Sequence, residues 1–297
     1  MMLTLLKIQD FMSKAIQGDT DVSLNSLSAF AEECKDSAER QFTREKGEWR
    51  IRMSGIGRPM CQQLLDKQGI EEEMEYNTLF RFLFGDITES ILMLVMKEAG
   101  VDIVDFQRPV ELDLDGVKIK GTLDVIIRDE SGIEKVWDIK SASDWAFKNK
   151  FTNFGGYEKL KEDDPFGYLM QGFLYGEATG LPFGGWIVVN KSSGEVAVVE
   201  SGDWSGEDKE HYIALAKERV KQLSDPNTKL VKYPDEFETY RKDGEIIRTG
   251  NKVLARPCHL CGYRHHCWPK SELHPKITSR AKTPPMTWYS KLTKREV

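Results

Sequence analysis

Two stretches, Gly121-Thr-Leu-Asp124-Val-Ile-Ile-Arg128 and Val136-Trp-Asp138-Ile-Lys140-Ser141, decide how this chain is read. Both are rich in β-branched and aromatic residues, and Asp129-Glu-Ser-Gly132 between them supplies turn chemistry. They therefore read as neighbouring antiparallel strands. Acids on one face of such a pair meet across the ladder, and residues two apart on one strand share a face. Asp124, Asp138 and Lys140 thus form one constellation, two carboxylates and an ammonium among Leu123, Val125, Ile126, Val136, Trp137 and Ile139. Like charges in such a setting are costly unless neutralised. A divalent cation does this, because Mg²⁺ takes one or two carboxylates and leaves room for a substrate phosphate. An exposed cross-strand salt bridge is the plainer alternative. The apolar strand and the Gly-x-x-Asp at hairpin distance weigh against it.

Outward from these strands the period changes. Asp115-Gly116 predicts a hairpin to a preceding strand that ends near Leu114. Before it, residues 78–99 predict a helix with an apolar stripe of Leu79, Phe82, Leu83, Ile87, Ile91, Leu94 and Val95, capped at Gly100. After the third strand, 145–164 reads as a long loop and 165–179 as a helix ending at Gly180-Leu-Pro182. Strands at 186–190 and 195–200 and an amphipathic helix at 206–223 follow. Residues 1–50 have helical spacing, 54–68 a turn and then a helix, and 225–297 read as loop-rich. The order predicts an α/β sandwich with a mixed sheet, distinct from a doubly wound nucleotide-binding fold. Three regions are expected: a helical 1–77, a core at 78–224 and a C-terminal segment at 225–297.

Tyr168, Gln171 and Tyr175 stand at i, i+3 and i+7 on the later helix, so one face carries two phenols and an amide. Glu89, in Gly85-Asp-Ile-Thr-Glu89, adds an acid from the earlier helix, with Asp86 as its competitor. The series Glu89, Gly-x-x-Asp124, Asp138-x-Lys140 and Gln171-x-x-x-Tyr175 resembles the PD-(D/E)XK nuclease superfamily, in particular its RecB-like branch. That resemblance covers about residues 78–200 and implies an α/β/α sandwich with a restriction-endonuclease-like core. It further implies that Asp124, Asp138 and the Ile139 carbonyl bind Mg²⁺ or Mn²⁺, with Glu89 as a further ligand. Many RecB-like members have His at the first motif, where this chain has Glu89. Lys140 would position or deprotonate the attacking water, while Gln171, Tyr175 and Tyr168 would line the DNA site.

The residue types suit phosphodiester hydrolysis in their own right. That reaction needs an activated water and charge stabilisation at the phosphate, and a bound divalent ion provides both. A nearby lysine serves as base or as charge stabiliser. The expected activity is a metal-dependent deoxyribonuclease, most readily an exonuclease acting on DNA ends, single-stranded ends among them. A non-catalytic DNA-binding scaffold and a structure- or site-specific endonuclease are the alternatives. No G-x-x-x-x-G-K-[ST] is present, so unwinding would come from a helicase or recombination partner.

Five cysteines are too few for a disulfide scaffold, yet Cys258-x₂-Cys261-x₅-Cys267 is tightly clustered. Cys61, 197 residues before Cys258, is the candidate fourth ligand, and Cys34 reads as a buried helical thiol. One early cysteine plus a late C-x₂-C-x₅-C is similar to the iron–sulfur module of RecB-like nucleases, which implies a [4Fe–4S] cluster on Cys61, Cys258, Cys261 and Cys267. Zn²⁺ on four thiolates, or on three with His259, His265 or His266, is the alternative.

Composition bounds the rest. The 297 residues carry a formal charge of −6, 30% charged and 40% hydrophobic residues, with a mean hydropathy of −0.48. Residues 251–297 hold ten Lys/Arg against Glu272 and Glu296, so that segment is about +8 and the remainder about −14. An acidic total therefore does not exclude a phosphate partner. Arg50, Arg52, Arg58, Arg256, Arg264 and Lys270 flank the cysteines and suit a phosphate backbone. Trp145, Phe147, Phe151, Phe154 and Tyr157, interleaved with Lys148, Lys150, Lys159 and Lys161, have the composition of a stacking surface or of a loop covering the core edge. The longest apolar run, Ile91 to Met96, is too short to span a bilayer, and the opening residues read as a helix and not as a signal peptide. No membrane partner and a reducing cytoplasmic location are expected.

Overall fold

The computed structural model describes residues 2–43, 47–202 and 206–293. Lys294, Arg295 and Glu296 of the basic tail, and residues 44–46 of the N-terminal region, lie outside them. In chain order the helices are α1 (Met2–Gln17), α2 (Leu24–Phe42), α3 (Met53–Ile56), α4 (Met60–Lys67), α5 (Tyr76–Glu98), α6 (Asp144–Ala146), α7 (Tyr157–Glu162), α8 (Tyr168–Thr179), α9 (Gly206–Ser224), α10 (Arg256–His259) and α11 (Arg264–Cys267). The strands are β1 (Ile103–Leu114), β2 (Val117–Arg128), β3 (Glu134–Ala142), β4 (Phe183–Asn190), β5 (Val196–Glu200), β6 (Glu236–Lys242), β7 (Glu245–Val253), β8 (Glu272–Pro275) and β9 (Met286–Lys291). Two compact units result: Met1–Arg58 with Glu75–Asp225, and Pro59–Met74 with Pro226–Val297.

The larger unit is mixed α/β, built on a five-stranded sheet of order β1-β2-β3-β4-β5. Asp115 and Gly116 both adopt positive φ, 54° and 87°, which is the two-residue turn whose twist suits a hairpin. The Asp129 carboxylate accepts the Ser131 and Ile133 N–H groups, each at 3.0 Å, and closes the β2–β3 turn. The β3–β4 pair is parallel, so the chain must cross over between these strands. Residues 144–179 do this with α6, a π-helical turn at Phe147–Phe151, α7 and α8. β5 then returns antiparallel to β4.

Both faces of the sheet are covered. Ile8 of α1 and Leu92, Met93 and Met96 of α5 pack with Val125, Ile127, Trp137, Ile139 and Ile187. In the other cluster Met53 and Ile56 of α3, Phe173 and Leu174 of α8 and Ala216 and Val220 of α9 join Leu123, Val136, Trp186 and Val188. Gly57 makes this packing feasible, because a Cβ there would lie 2.5 Å from the Gly167 Cα at the start of α8. Arg219 of α9 fixes the same turn by donating to the carbonyls of Ile56 at 2.6 Å and Arg58 at 2.9 Å.

Four sequence expectations need correction. The α5 stripe is displaced: Leu92, Met93 and Met96 are buried, whereas Phe82 and Ile91 are exposed. The segment 91–96 is apolar on nearly every side, so periodicity does not choose the face that the sheet covers. The expected loop at 145–164 is mostly short helical turns that bury Phe147, Phe151 and Tyr157. The region 225–297 is not merely loop-rich: it contributes a four-stranded sheet of order β6-β7-β9-β8 to the smaller unit. Its strands are short and largely polar, but Asp243-Gly244, with φ 51° and 86°, makes the same hairpin turn as Asp115-Gly116. Finally, Cys34 is only partly buried.

Candidate active site

The acids meet where the β2–β3 ladder ends. The last pair is Val125 with Trp137, so Asp124 stands one step beyond it, opposite Asp138. The Asp124 Oδ2 accepts the Ile139 N–H at 2.7 Å, a bond that a strand carbonyl would otherwise receive. The Asp124 and Asp138 carboxyls lie within electrostatic reach of each other. Lys140 Nζ donates to Asp138 Oδ1 at 2.7 Å and forms an ion pair with Oδ2 at 2.6 Å. Asp138 is 2% exposed.

α8 presses on this cluster from one side. Gln171 Nε2 donates to Asp138 Oδ1 at 3.1 Å and also to the Tyr175 hydroxyl at 3.4 Å. Gly121 makes room for the phenol, since a Cβ there would come within 2.6 Å of Tyr175 Cε1. Gln171 and Tyr175, which the resemblance places at the DNA, are both buried and brace Asp138. Tyr168 is nearer the surface. Its ring lies 5.3 Å from Lys140 Nζ and stacks on the exposed Phe166, centroids 5.5 Å apart.

Glu89 reaches the cluster from α5. Burial pushes its carboxyl up to about 7, with Lys140 opposing and Asp138 and Asp86 reinforcing the rise. Burial does the same to Asp124, helped by Glu89, and to Asp138, where Lys140 opposes; both reach about 7. Burial works against the Lys140 ammonium, but Asp138 and Asp124 outweigh it and hold the lysine charged. Asp86, the rival to Glu89, instead accepts from Gln41 at 2.9 Å and Arg40 at 3.3 Å.

Carboxyl oxygens from Asp124, Asp138 and Glu89 suit a divalent cation chemically, although among the described residues no three His, Cys, Asp or Glu side chains are grouped so as to hold one ready-made. Three carboxyls that resist ionisation together are what an added positive charge would relieve. The residue that sequence reasoning missed is Gln107 of β1, whose amide donates to Glu89 Oε1. Its backbone is left-handed, φ 47°. The nearest sequence signal is Pro109, which marks an irregular strand without naming Gln107.

The four clustered cysteines all belong to the smaller unit: Cys61 on α4, Cys258 on α10, Cys267 closing α11, and Cys261 between the last two. Leu65, Cys261 and Tyr263 form a small core with Ile70, Leu230 and Cys267 against it. Burial pushes the Cys258 and Cys261 thiols up to about 11, and neighbouring cysteines add to both. Burial also raises Cys61, reinforced by Cys267, and raises Cys267 against the opposing charge of Lys232. Among the described residues, no three His, Cys, Asp or Glu side chains converge as a ready-made site for a metal ion. Four soft donors lie within mutual electrostatic reach, a donor set whose chemistry suits iron–sulfur or Zn²⁺, and Lys232 and Arg264 offset only part of the rise at Cys267 and Cys258.

The expected cationic surfaces are less open than composition implies. Lys148 pairs with Asp144 at 2.9 Å, Lys159 with Glu162 at 2.6 Å, Lys161 with Asp208 at 2.9 Å, and Lys150 with Asp163. Trp145 and Phe154 of that stretch remain exposed. Arg50, Arg52 and Arg58 lie in the larger unit, and Arg256, Arg264 and Lys270 in the smaller. Arg264 stacks 3.6 Å over the Trp288 ring and His265 faces Glu73 at 3.7 Å, so neither is simply solvated.

No family model matches the chain, and no curated protein does. The solved structure described as "Crystal structure of SSO0001" is similar at a TM-score of 0.40 and 18% identity, over 67% of this chain and 88% of that one. No helix among the described residues is long and apolar enough to cross a membrane.

Proposed function

We propose that the chain is a divalent-cation-dependent DNA nuclease of the PD-(D/E)XK superfamily and its RecB-like branch, with the larger unit as its restriction-endonuclease-like α/β/α core. One observation carries this reading: Asp124, Asp138, Glu89 and Lys140, supplied by three elements, interact electrostatically, and all three carboxyls are pushed up to about 7. Asp124, Asp138, Glu89 and the Ile139 carbonyl would hold Mg²⁺ or Mn²⁺. Such an ion, when bound, polarises the phosphate and makes water a stronger nucleophile.

The chain's own residues have separable tasks. Lys140, beside Asp138, would stabilise the charge that develops on the phosphate or deprotonate the attacking water. Gln171 holds Asp138 in place, and Tyr175 fills the space left by Gly121. Tyr168 and Phe166 offer an aromatic face beside Lys140 for DNA. Exonucleolytic cutting at DNA ends, in repair, recombination or phage DNA processing, is the preferred form, with a helicase or recombination protein as partner. Cys61, Cys258, Cys261 and Cys267 would hold a [4Fe–4S] cluster that ties residues 59–74 to 226–297 within the smaller unit, with Zn²⁺ as the alternative. Reduced thiolates suit a cytoplasmic location.

The test is digestion of end-labelled single- and double-stranded DNA by anaerobically purified protein, with Mg²⁺, Mn²⁺ or chelator. Lys140→Ala is run alongside. Metal-dependent degradation by the wild type and not by the variant supports the reading. Binding without cutting replaces it with the scaffold alternative, and equal cutting by Lys140→Ala moves the active site elsewhere.

A further inference from the structure

A strand residue with left-handed backbone is uncommon unless it is glycine, asparagine or aspartate. Gln107 is such a residue, with φ 47°, and it lies within β1. The β1–β2 ladder pairs Arg108 with Leu123 and Phe106 with Val125, and omits the pair between them. That omitted pair is Gln107 and Asp124. The kink in β1 thus falls at the register position of a proposed metal ligand. From there the Gln107 amide donates to Glu89, the acid contributed by α5. Strained backbone persists where the surroundings impose it, and such positions cluster at functional sites.

We infer that Gln107 is a positioning residue for the cation site: its kinked backbone aims the side-chain amide at Glu89 and holds that carboxylate toward Asp124 and Asp138. The inference rests on the metal-site reading proposed above. It also explains why Glu89, which shares α5 with Asp86, is the acid turned to the cluster. Asp86 has Arg40 and Gln41 as partners, while Glu89 has an amide supplied from the sheet. Partners that orient metal ligands are worth about 10–100-fold in affinity.

The experiment measures Mn²⁺ binding to the DNA-free full chain by electron paramagnetic resonance of the free ion, together with thermal unfolding of the metal-free protein. Wild type, Gln107→Leu, Gln107→Gly and Asp138→Asn are compared. Leucine removes the amide and keeps the bulk, while glycine removes the amide and accepts positive φ without strain. Both Gln107 variants are expected to bind Mn²⁺ about tenfold more weakly or worse, with Gln107→Gly melting no lower than wild type. Loss of affinity without loss of stability is a result that a merely structural residue would not give. Wild-type affinity in both Gln107 variants overturns the inference alone. A wild type that binds no Mn²⁺, or binds it no better than Asp138→Asn, overturns the metal reading and this inference with it.

Discussion

Asp138 and Glu238 are both carboxylates inside β-sheets, 2% and 3% exposed, and they are treated in opposite ways. Glu238, in the smaller unit, takes neutral donors on both oxygens. The Tyr289 hydroxyl donates to Oε1 at 2.7 Å, and Thr249 Oγ1 at 2.9 Å and Asn251 Nδ2 at 3.0 Å donate to Oε2. Asp138, in the larger unit, has the charged Lys140 at 2.7 Å from Oδ1 and 2.6 Å from Oδ2, and other acids against it. A buried acid with neutral donors on both oxygens holds strands in register. One that is crowded by other acids is costly to the fold, and this cost makes sense under the proposed cation site.

The largest expected effect tests the Glu238 side of this contrast. Glu238→Ala orphans three buried donors, each worth about 1–3 kcal/mol, so a loss of at least about 3 kcal/mol is expected in chemical denaturation. Asp138→Asn, in metal-free protein at pH 8, should cost nothing or stabilise, because it removes one of the crowded charges. Comparable losses in the two variants would erase the distinction.

The next effect uses pH. Glu89, Asp124 and Asp138 have folded-state values near 7, above their ordinary 4.5 and 3.8. Below about pH 4 both folded and unfolded chains hold these protons and there is no contribution. Between about 4 and 7 the folded chain holds more protons, so stability falls as pH rises, and above 7 the penalty is complete. Metal-free wild type should therefore lose several degrees of melting temperature between pH 5 and 8 relative to Asp138→Asn. Mn²⁺ should restore more of that loss at pH 8 than at pH 5. A difference between the two proteins that does not vary with pH would contradict the assignment.

How much of this was legible follows from which interactions are local. Asp115-Gly116, Asp129-Glu-Ser-Gly132 and the apolar runs of β2 and β3 are local signals, and they place Asp124 beside Asp138 without further information. The face of α5 was not legible, because Ile91–Met96 is apolar all round and only the sheet selects Leu92, Met93 and Met96. The second sheet was missed although Asp243-Gly244 carries a hairpin signal, because its strands show little apolar alternation. Gln107 was hidden for a different reason: a left-handed φ in a strand is imposed by tertiary contacts and leaves no compositional trace.

The brace behind Asp138 can be tested through a single methyl group. Gly121→Ala would set a Cβ 2.6 Å from Tyr175 Cε1 and 3.1 Å from Met53 Cβ. Overpacking of this kind costs about 1–3 kcal/mol. If Tyr175 and Gln171 act as a unit on Asp138, the variant should also weaken Mn²⁺ binding. A stability loss with unchanged binding would separate the packing of α8 from the geometry of the carboxylates.

The smallest effect separates two acids one turn apart. Asp86 pairs at 3.3 Å with Arg40, whose side chain is 64% exposed, and accepts from Gln41. An ion pair this open to water is worth about 0.2–1 kcal/mol, so Asp86→Ala should lower stability only slightly and leave Mn²⁺ affinity as it was. Glu89→Ala should do the reverse. It relieves a crowded acid, so metal-free stability at pH 8 holds or rises, while Mn²⁺ affinity drops. If Asp86→Ala proved the more damaging to metal binding, the acid of α5 would be misassigned, and the Gln107 amide would be orienting a carboxylate that the cation does not use.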